Sequence, residues 1–195
     1  MKARFFITSM LGVLMFMACE KQNEDMVPEI DFSNITEETM NSLPADYNGN
    51  IDDAAFTHDL FNKTFHITKE FYYSPIQNKW IDDRPVGEDH RDFGFKVEGD
   101  KCLVYCYVYI NENPGGGPST GKENATVACD MVYDNESRRL DIFRADDKRF
   151  GFDMSLVPIY YKDGEVIFSY DRISGYDGEV RQYRLVGYFD DTPIW

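Results

Sequence analysis

Three groups of residues in this chain could do chemistry by type and spacing: a tyrosine stripe, a set of thiols and a cluster of carboxylates. Between Lys101 and Ile110, Cys102, Val104, Cys106, Val108 and Ile110 alternate with Leu103, Tyr105, Tyr107 and Tyr109. A strand there carries an apolar face and a tyrosine face, because successive side chains point to opposite sides. Tyr105, Tyr107 and Tyr109 are the candidate ligand-binding residues, since a row of rings can stack on a flat molecule. Core packing with a partly wet outer surface is the simpler account of the same pattern. A hairpin joining 101–110 to 125–133, centred between Gly117 and Pro118, sets Cys106 opposite Cys129 and Val104 opposite Met131. Every pair on that face is then apolar, as a buried face requires. In an oxidising compartment Cys106 and Cys129 are candidates for a disulfide, with Cys102 left over.

Other suggestive strings lack the context their chemistry needs. Gly116 to Glu123 spells most of a phosphate-binding loop, but Glu123 stands where a magnesium-binding Ser or Thr belongs. Ala125 to Ala128 then reads as strand, whereas such a loop needs a helix whose N-terminal amides hold phosphate. His90-Arg91-Asp92-Phe93-Gly94 overlaps the letters of two kinase motifs. Those motifs must lie far apart, to place a base and a metal ligand separately. Asp82, Asp83, Glu88, Asp89 and Asp92 gather around His90, but Arg84 and Arg91 offset them and the spacing is not that of a calcium loop. With His58, His66 and His90 the only histidines and no Gly-x-Ser-x-Gly string, a hydrolytic triad has no basis. No catalytic residue, metal ligand or cofactor is nominated.

Cys19 has the clearest chemistry. Lys2 and Arg4 precede an apolar run from Phe5 to Met17. The run falls short of the roughly 20 residues that a membrane-spanning helix needs, and it suits a signal peptide. It ends in Met17-Ala18-Cys19, which resembles the lipobox of bacterial lipoproteins, with Phe16 where that family usually has Leu. The resemblance implies cleavage after residue 18 and acylation of Cys19, so a membrane is the first partner. More than one acyl chain makes such an anchor stable. Glu20, Glu24 and Asp25 resemble the surface-export signal of Bacteroidetes lipoproteins, which implies an outer membrane lipoprotein facing the cell exterior.

The net charge of −15 is concentrated behind that anchor: residues 20–59 hold eleven acidic side chains against Lys21 alone. Such a segment reads as a solvated acidic spacer. Within it, Asp52-Asp53-Ala54-Ala55-Phe56 could open a short helix, with acids at its positive end. Nucleic acid is excluded as a partner, because its phosphates would be repelled. The chain thus divides into a signal peptide (1–18), a lipidated cysteine with acidic spacer (19–59) and one domain (60–195). By length, that domain is expected to fold alone.

Inside it the hydrophobic period is two. Phe93, Phe95 and Val97, then Leu140 and Ile142, then Phe150, Phe152, Met154 and Leu156 alternate with polar residues. Glu98-Gly99-Asp100, Asp134-Asn135-Glu136, Asp163-Gly164 and Asp177-Gly178 supply the turns. This predicts an all-β antiparallel meander closing as an up-and-down barrel, with a two-sheet sandwich as the alternative. Phe65-His66-Ile67, and Tyr133-Asp134-Asn135-Glu136 leading to Leu140-Asp141-Ile142, resemble the lipocalin-like domains of small Bacteroidetes lipoproteins. The Gly-x-Trp of lipocalins has no counterpart at Asn62-Lys63-Thr64-Phe65, so the resemblance does not carry a lipocalin ligand. The expected function is a non-catalytic binding or interaction module for a glycan, a small apolar molecule or a partner protein. An extracellular hydrolase acting on polymer and a structural envelope subunit are the alternatives.

Overall fold

The computed structural model describes residues 30–44, 47, 49, 51–82, 94–110, 121–143, 154–173 and 179–194, without the side chains of 107–110, 121–123 and 172–173. Cys19, the acidic string after Asp82, and most of the glycine-rich loop before Lys122 lie outside these residues. Two helices, α1 (Glu37–Ser42) and α2 (Asp53–Asn62), precede nine strands. The strands are β1 (Thr64–Ser74), β2 (Lys79–Asp82), β3 (Gly94–Glu98), β4 (Lys101–Ile110), β5 (Gly121–Asp134), β6 (Arg139–Phe143), β7 (Met154–Lys162), β8 (Glu165–Ile173) and β9 (Val180–Asp190). Their order is β2-β1-β3-β4-β5-β6-β7-β8-β9, and β1 also pairs with β9. Eight strands therefore close into an antiparallel up-and-down barrel. Strand β2 is a short extra strand on the second half of β1. The barrel, rather than the sandwich, is the observed architecture.

The expected turns form where Gly and Asp allow positive φ. Asp163 and Gly164 sit at φ 51° and 90°, joining β7 to β8, and Gly99 at φ 64° joins β3 to β4. These turns and residues 135–138 share one end of the barrel with α2. Asp52 opens that helix by accepting from the amides of Ala54 and Ala55, both at 3.0 Å. Phe56 and Leu60, four residues apart on one helix face, then enter the barrel core.

Two expectations are corrected here. The boundary at residue 60 is wrong, because the chain is already part of the fold at Ile30. Ile30, Ile35, Met40 and Leu43 are buried against Phe71, Trp80, Tyr160, Ile167 and Val186 on the outer wall of the barrel. The acidic count of the segment concealed four widely spaced apolar anchors.

The second correction concerns the β4–β5 hairpin. Ile110 pairs with Gly121, and Cys129 faces Cys102, while Cys106 faces Ala125. The Cys106–Cys129 pairing is therefore absent, and none of Cys102, Cys106 and Cys129 is in a disulfide. Strand β5 begins at Gly121, four residues earlier than its apolar content suggests, because Lys122 and Asn124 pair with alternate positions of β4. The displacement is even, so Cys102, Val104, Cys106, Val127 and Cys129 still face inward. Matching apolar residues favours the expected register, because the observed one sets Val108 opposite Glu123 while burying the same face.

Closure at the β1–β9 seam depends on one glycine. A Cβ on Gly187 would lie 2.1 Å from the His66 carbonyl oxygen and 2.6 Å from the Phe65 ring. Only a residue without a side chain lets Phe65 lie across the interior there.

Candidate functional site

The interior changes character along the barrel axis. Near α2 it is filled by Phe56, Phe65, Phe95, Phe168 and Phe189. Their ring centroids lie as close as 5.0 Å for Phe65 and Phe95 and 5.3 Å for Phe65 and Phe168. Toward the other end, Tyr72 of β1, Tyr183 of β9 and Tyr170 of β8 are joined by register into one cross-strand row. Tyr170 and Tyr183 stack with centroids 5.1 Å apart and planes 24° apart, and Tyr72 lies 6.5 Å from Tyr183. The Tyr170 hydroxyl donates to Glu70, one rung nearer the phenylalanines. Arg181, two residues before Tyr183 on β9, takes the next interior position outward. The sequence of rungs is thus phenylalanine, then a carboxylate beside Leu185, then tyrosines, then arginine.

A β-bulge sets this arrangement. The pairing of β1 with β9 shifts register between Ile67 and Lys69, and the extra residue, Thr68, donates its hydroxyl to the Val186 carbonyl at 3.1 Å. Without the bulge, alternation from Phe65 and Ile67 would turn Lys69 and Phe71 inward. With it, Glu70 and Tyr72 point into the barrel, and Phe71 packs outside under the α1 segment.

Of the candidate stripe, Tyr105 lies elsewhere. Tyr105 alternates with the interior residues Val104 and Cys106, is half-buried, and belongs to the outer face. The side chains of Tyr107 and Tyr109 lie outside the described residues. The interior tyrosines left a signal in the sequence: Val166-x-Phe168-x-Tyr170 and Tyr183-x-Leu185 alternate like any half-buried strand. Only Tyr72 was concealed, by the bulge.

Two polar clusters occur outside this row. At the α2 end, the nearly buried Asp59 carboxylate accepts from the Tyr161 hydroxyl at 2.7 Å and pairs with Lys63 Nζ at 2.9 Å and His58 Nδ1 at 3.1 Å. Burial alone would raise its pKa, but the hydrogen bonds from Lys63, Tyr161 and His58 hold it below the usual carboxylate range. Burial and the adjacent Asp59 push the Tyr161 phenol up. A phenol held protonated against a carboxylate is a clasp between helix and barrel, and a poor base. On the outer wall, His66 Nε2 lies 2.9 Å from Asp190 Oδ1 and 3.0 Å from the Thr192 carbonyl, while its ring stacks on Tyr188. These contacts hold the C-terminal segment against β1.

Arg184 is buried under the α1 segment. Its guanidinium donates to the carbonyls of Met40 at 3.1 Å and Pro44 at 3.4 Å, and lies 4.2 Å from the Trp80 ring centroid. Burial lowers its pKa to about 10. It anchors the end of α1, where a cation meets the negative pole of the helix. Asn41 completes the attachment: its amide donates to the Trp80 carbonyl at 2.9 Å, and its oxygen accepts from the Trp80 amide at 2.7 Å. Glu37 accepts from the Asp82 amide at 3.1 Å. The free edge of β2 is thereby occupied by side chains and closed to a further strand.

Among the described residues, no group of three or more His, Cys, Asp or Glu side chains could hold a metal ion. No described helix is long and apolar enough to cross a membrane. No protein family, curated protein or solved structure matches the chain.

Proposed function

We propose that the protein is a lipoprotein anchored through Cys19, probing the cell exterior as a non-catalytic binding module, with its ligand received at the tyrosine end of the barrel. The observation that carries this reading is the interior row Tyr72, Tyr183 and Tyr170 above Glu70. A barrel serving only as a scaffold can be filled by apolar side chains throughout, as its phenylalanine end is, so a carboxylate and three phenols on interior rungs favour a polar ligand there. Tyrosine faces take the C–H face of a saturated ring, while phenols and a carboxylate take its hydroxyls. A sugar ring has both features, so a saccharide is the ligand class.

The test is calorimetric titration with a panel of mono- and oligosaccharides beside a panel of fatty acids. Saccharide binding is expected, weakened about tenfold in Tyr183→Ala and in Glu70→Gln, which corresponds to 1.4 kcal/mol for each variant. Thermal melts of both variants check that the barrel stays folded. Binding of fatty acids alone would replace the ligand class, and heat from neither panel would remove the site.

The anchor has its own measurement. A metabolically supplied fatty-acid analogue should mark the wild type and leave Cys19→Ala unmarked. An unmarked wild type, or a marked variant, would remove the lipoprotein assignment.

A further inference from the structure

Cys102 and Cys129 occupy directly opposed positions on β4 and β5. Both side chains are buried on the same interior face, at 0% and 1% exposure. Directly opposed residues in an antiparallel pair bring their β-carbons to about 4.5–5.5 Å. A disulfide needs about 3.5–4.5 Å, within reach of a small local twist. Cys106 cannot compete for either partner, because it faces Ala125. Burial, and then the neighbouring sulfur, raise the Cys102 thiol pKa, so reduced Cys102 is a poor nucleophile once folded.

We propose that Cys102 and Cys129 form a cross-strand disulfide in the mature protein, leaving Cys106 as the one free thiol of the domain. The bond forms while β4 and β5 are still accessible. The thiolate of one cysteine attacks an incoming disulfide, either a small-molecule disulfide or that of a thiol oxidase, and forms a mixed disulfide with release of one thiol. The second cysteine displaces the other half of the oxidant. Two S–H bonds are lost, one S–S bond forms, and the oxidant's S–S bond is reduced to two thiols. The geometry stands independently of the proposed function, but formation in the cell rests on export to an oxidising compartment.

Two arms separate these claims. In the first, denatured and reduced protein carrying Cys19→Ser is refolded in a glutathione redox buffer, then alkylated in denaturant. One alkylated thiol is expected, with a peptide linking Cys102 to Cys129. The bond should survive Cys106→Ala and be lost in Cys102→Ser, and its reduction should lower the melting temperature by roughly 5–10 °C. Three alkylated thiols, or a peptide linking Cys106 to Cys129, would overturn the proposal. In the second arm, protein from intact cells is trapped with acid before alkylation. A chain that is bonded in the first arm and reduced in the second keeps the proposed geometry and removes the exported location.

Discussion

A chain beginning at residue 58 will aggregate on expression, whereas one beginning at residue 28 will remain soluble and give a β-type far-ultraviolet spectrum. The shorter chain loses the Asp52 cap and Phe56, whose ring sits 5.4 Å from Tyr161 and 6.1 Å from Phe168 in the core. It also loses Ile30, Ile35, Met40 and Leu43 from the outer wall. Each of these side chains contributes about 1.5–3 kcal/mol by full burial. Together they match or exceed the roughly 5–15 kcal/mol by which an ordinary domain is stable. Removing them also bares Phe71, Ile167 and Val186, leaves Arg184 without its carbonyl acceptors and opens the backbone edge of β2. An exposed edge beside an apolar wall is a template for association. Size-exclusion chromatography of the two chains settles the matter: a monomeric, cooperatively melting chain from residue 58 would show that the outer segment is dispensable.

The barrel was legible in the sequence because alternation and turn chemistry agreed. Phe95 and Val97, Leu140 and Ile142, and the Asp163-Gly164 turn each fix a strand or its end by local physics alone. Features that depend on two distant segments were not legible. The β4–β5 register rested on pairing apolar residues, a criterion that favours Cys106 facing Cys129, because the observed register sets Val108 opposite Glu123. The bulge at Thr68 reverses which residues of β1 face inward, so neither Glu70 nor Tyr72 could be assigned to the interior from periodicity. The outer segment had one sign in the sequence. Val166-Ile167-Phe168 and Leu185-Val186 are apolar on both faces, which marks strands covered on both sides. That sign competed with an acidic composition and lost.

Replacing Asp59 will destabilise the protein more than any other change to a charged side chain at the helix end of the barrel, and the loss will depend on pH. Asp59 is the common acceptor of Tyr161, Lys63 and His58, and it joins α2 to β7. Asp59→Ala leaves the buried phenol only the Ala55 carbonyl at 3.3 Å and takes from the half-buried Lys63 ammonium its carboxylate, at a cost of about 3 kcal/mol. At roughly 2–4 °C per kcal/mol for a chain of this size, the melting temperature falls by about 6–12 °C. Tyr161→Phe removes the hydrogen bond to Asp59 and the longer contact with the Ala55 carbonyl, and should cost about 1 kcal/mol. The double variant should cost less than the sum of the two, because both remove the same contact. The folded-state pKa of Asp59 is depressed, so its contribution is fully present above the unfolded value of about 4 and is lost as pH falls through the folded value. The phenol behaves oppositely. Its folded pKa is raised, so its contribution holds below about 10 and is lost as pH climbs through the folded value. The gap between wild type and Asp59→Asn, measured by thermal melts, should therefore be wide at pH 7 and narrow toward pH 2–3. A gap of constant width across that range would mean that the carboxylate is not ionised in the folded protein, and that the clasp is a neutral hydrogen bond.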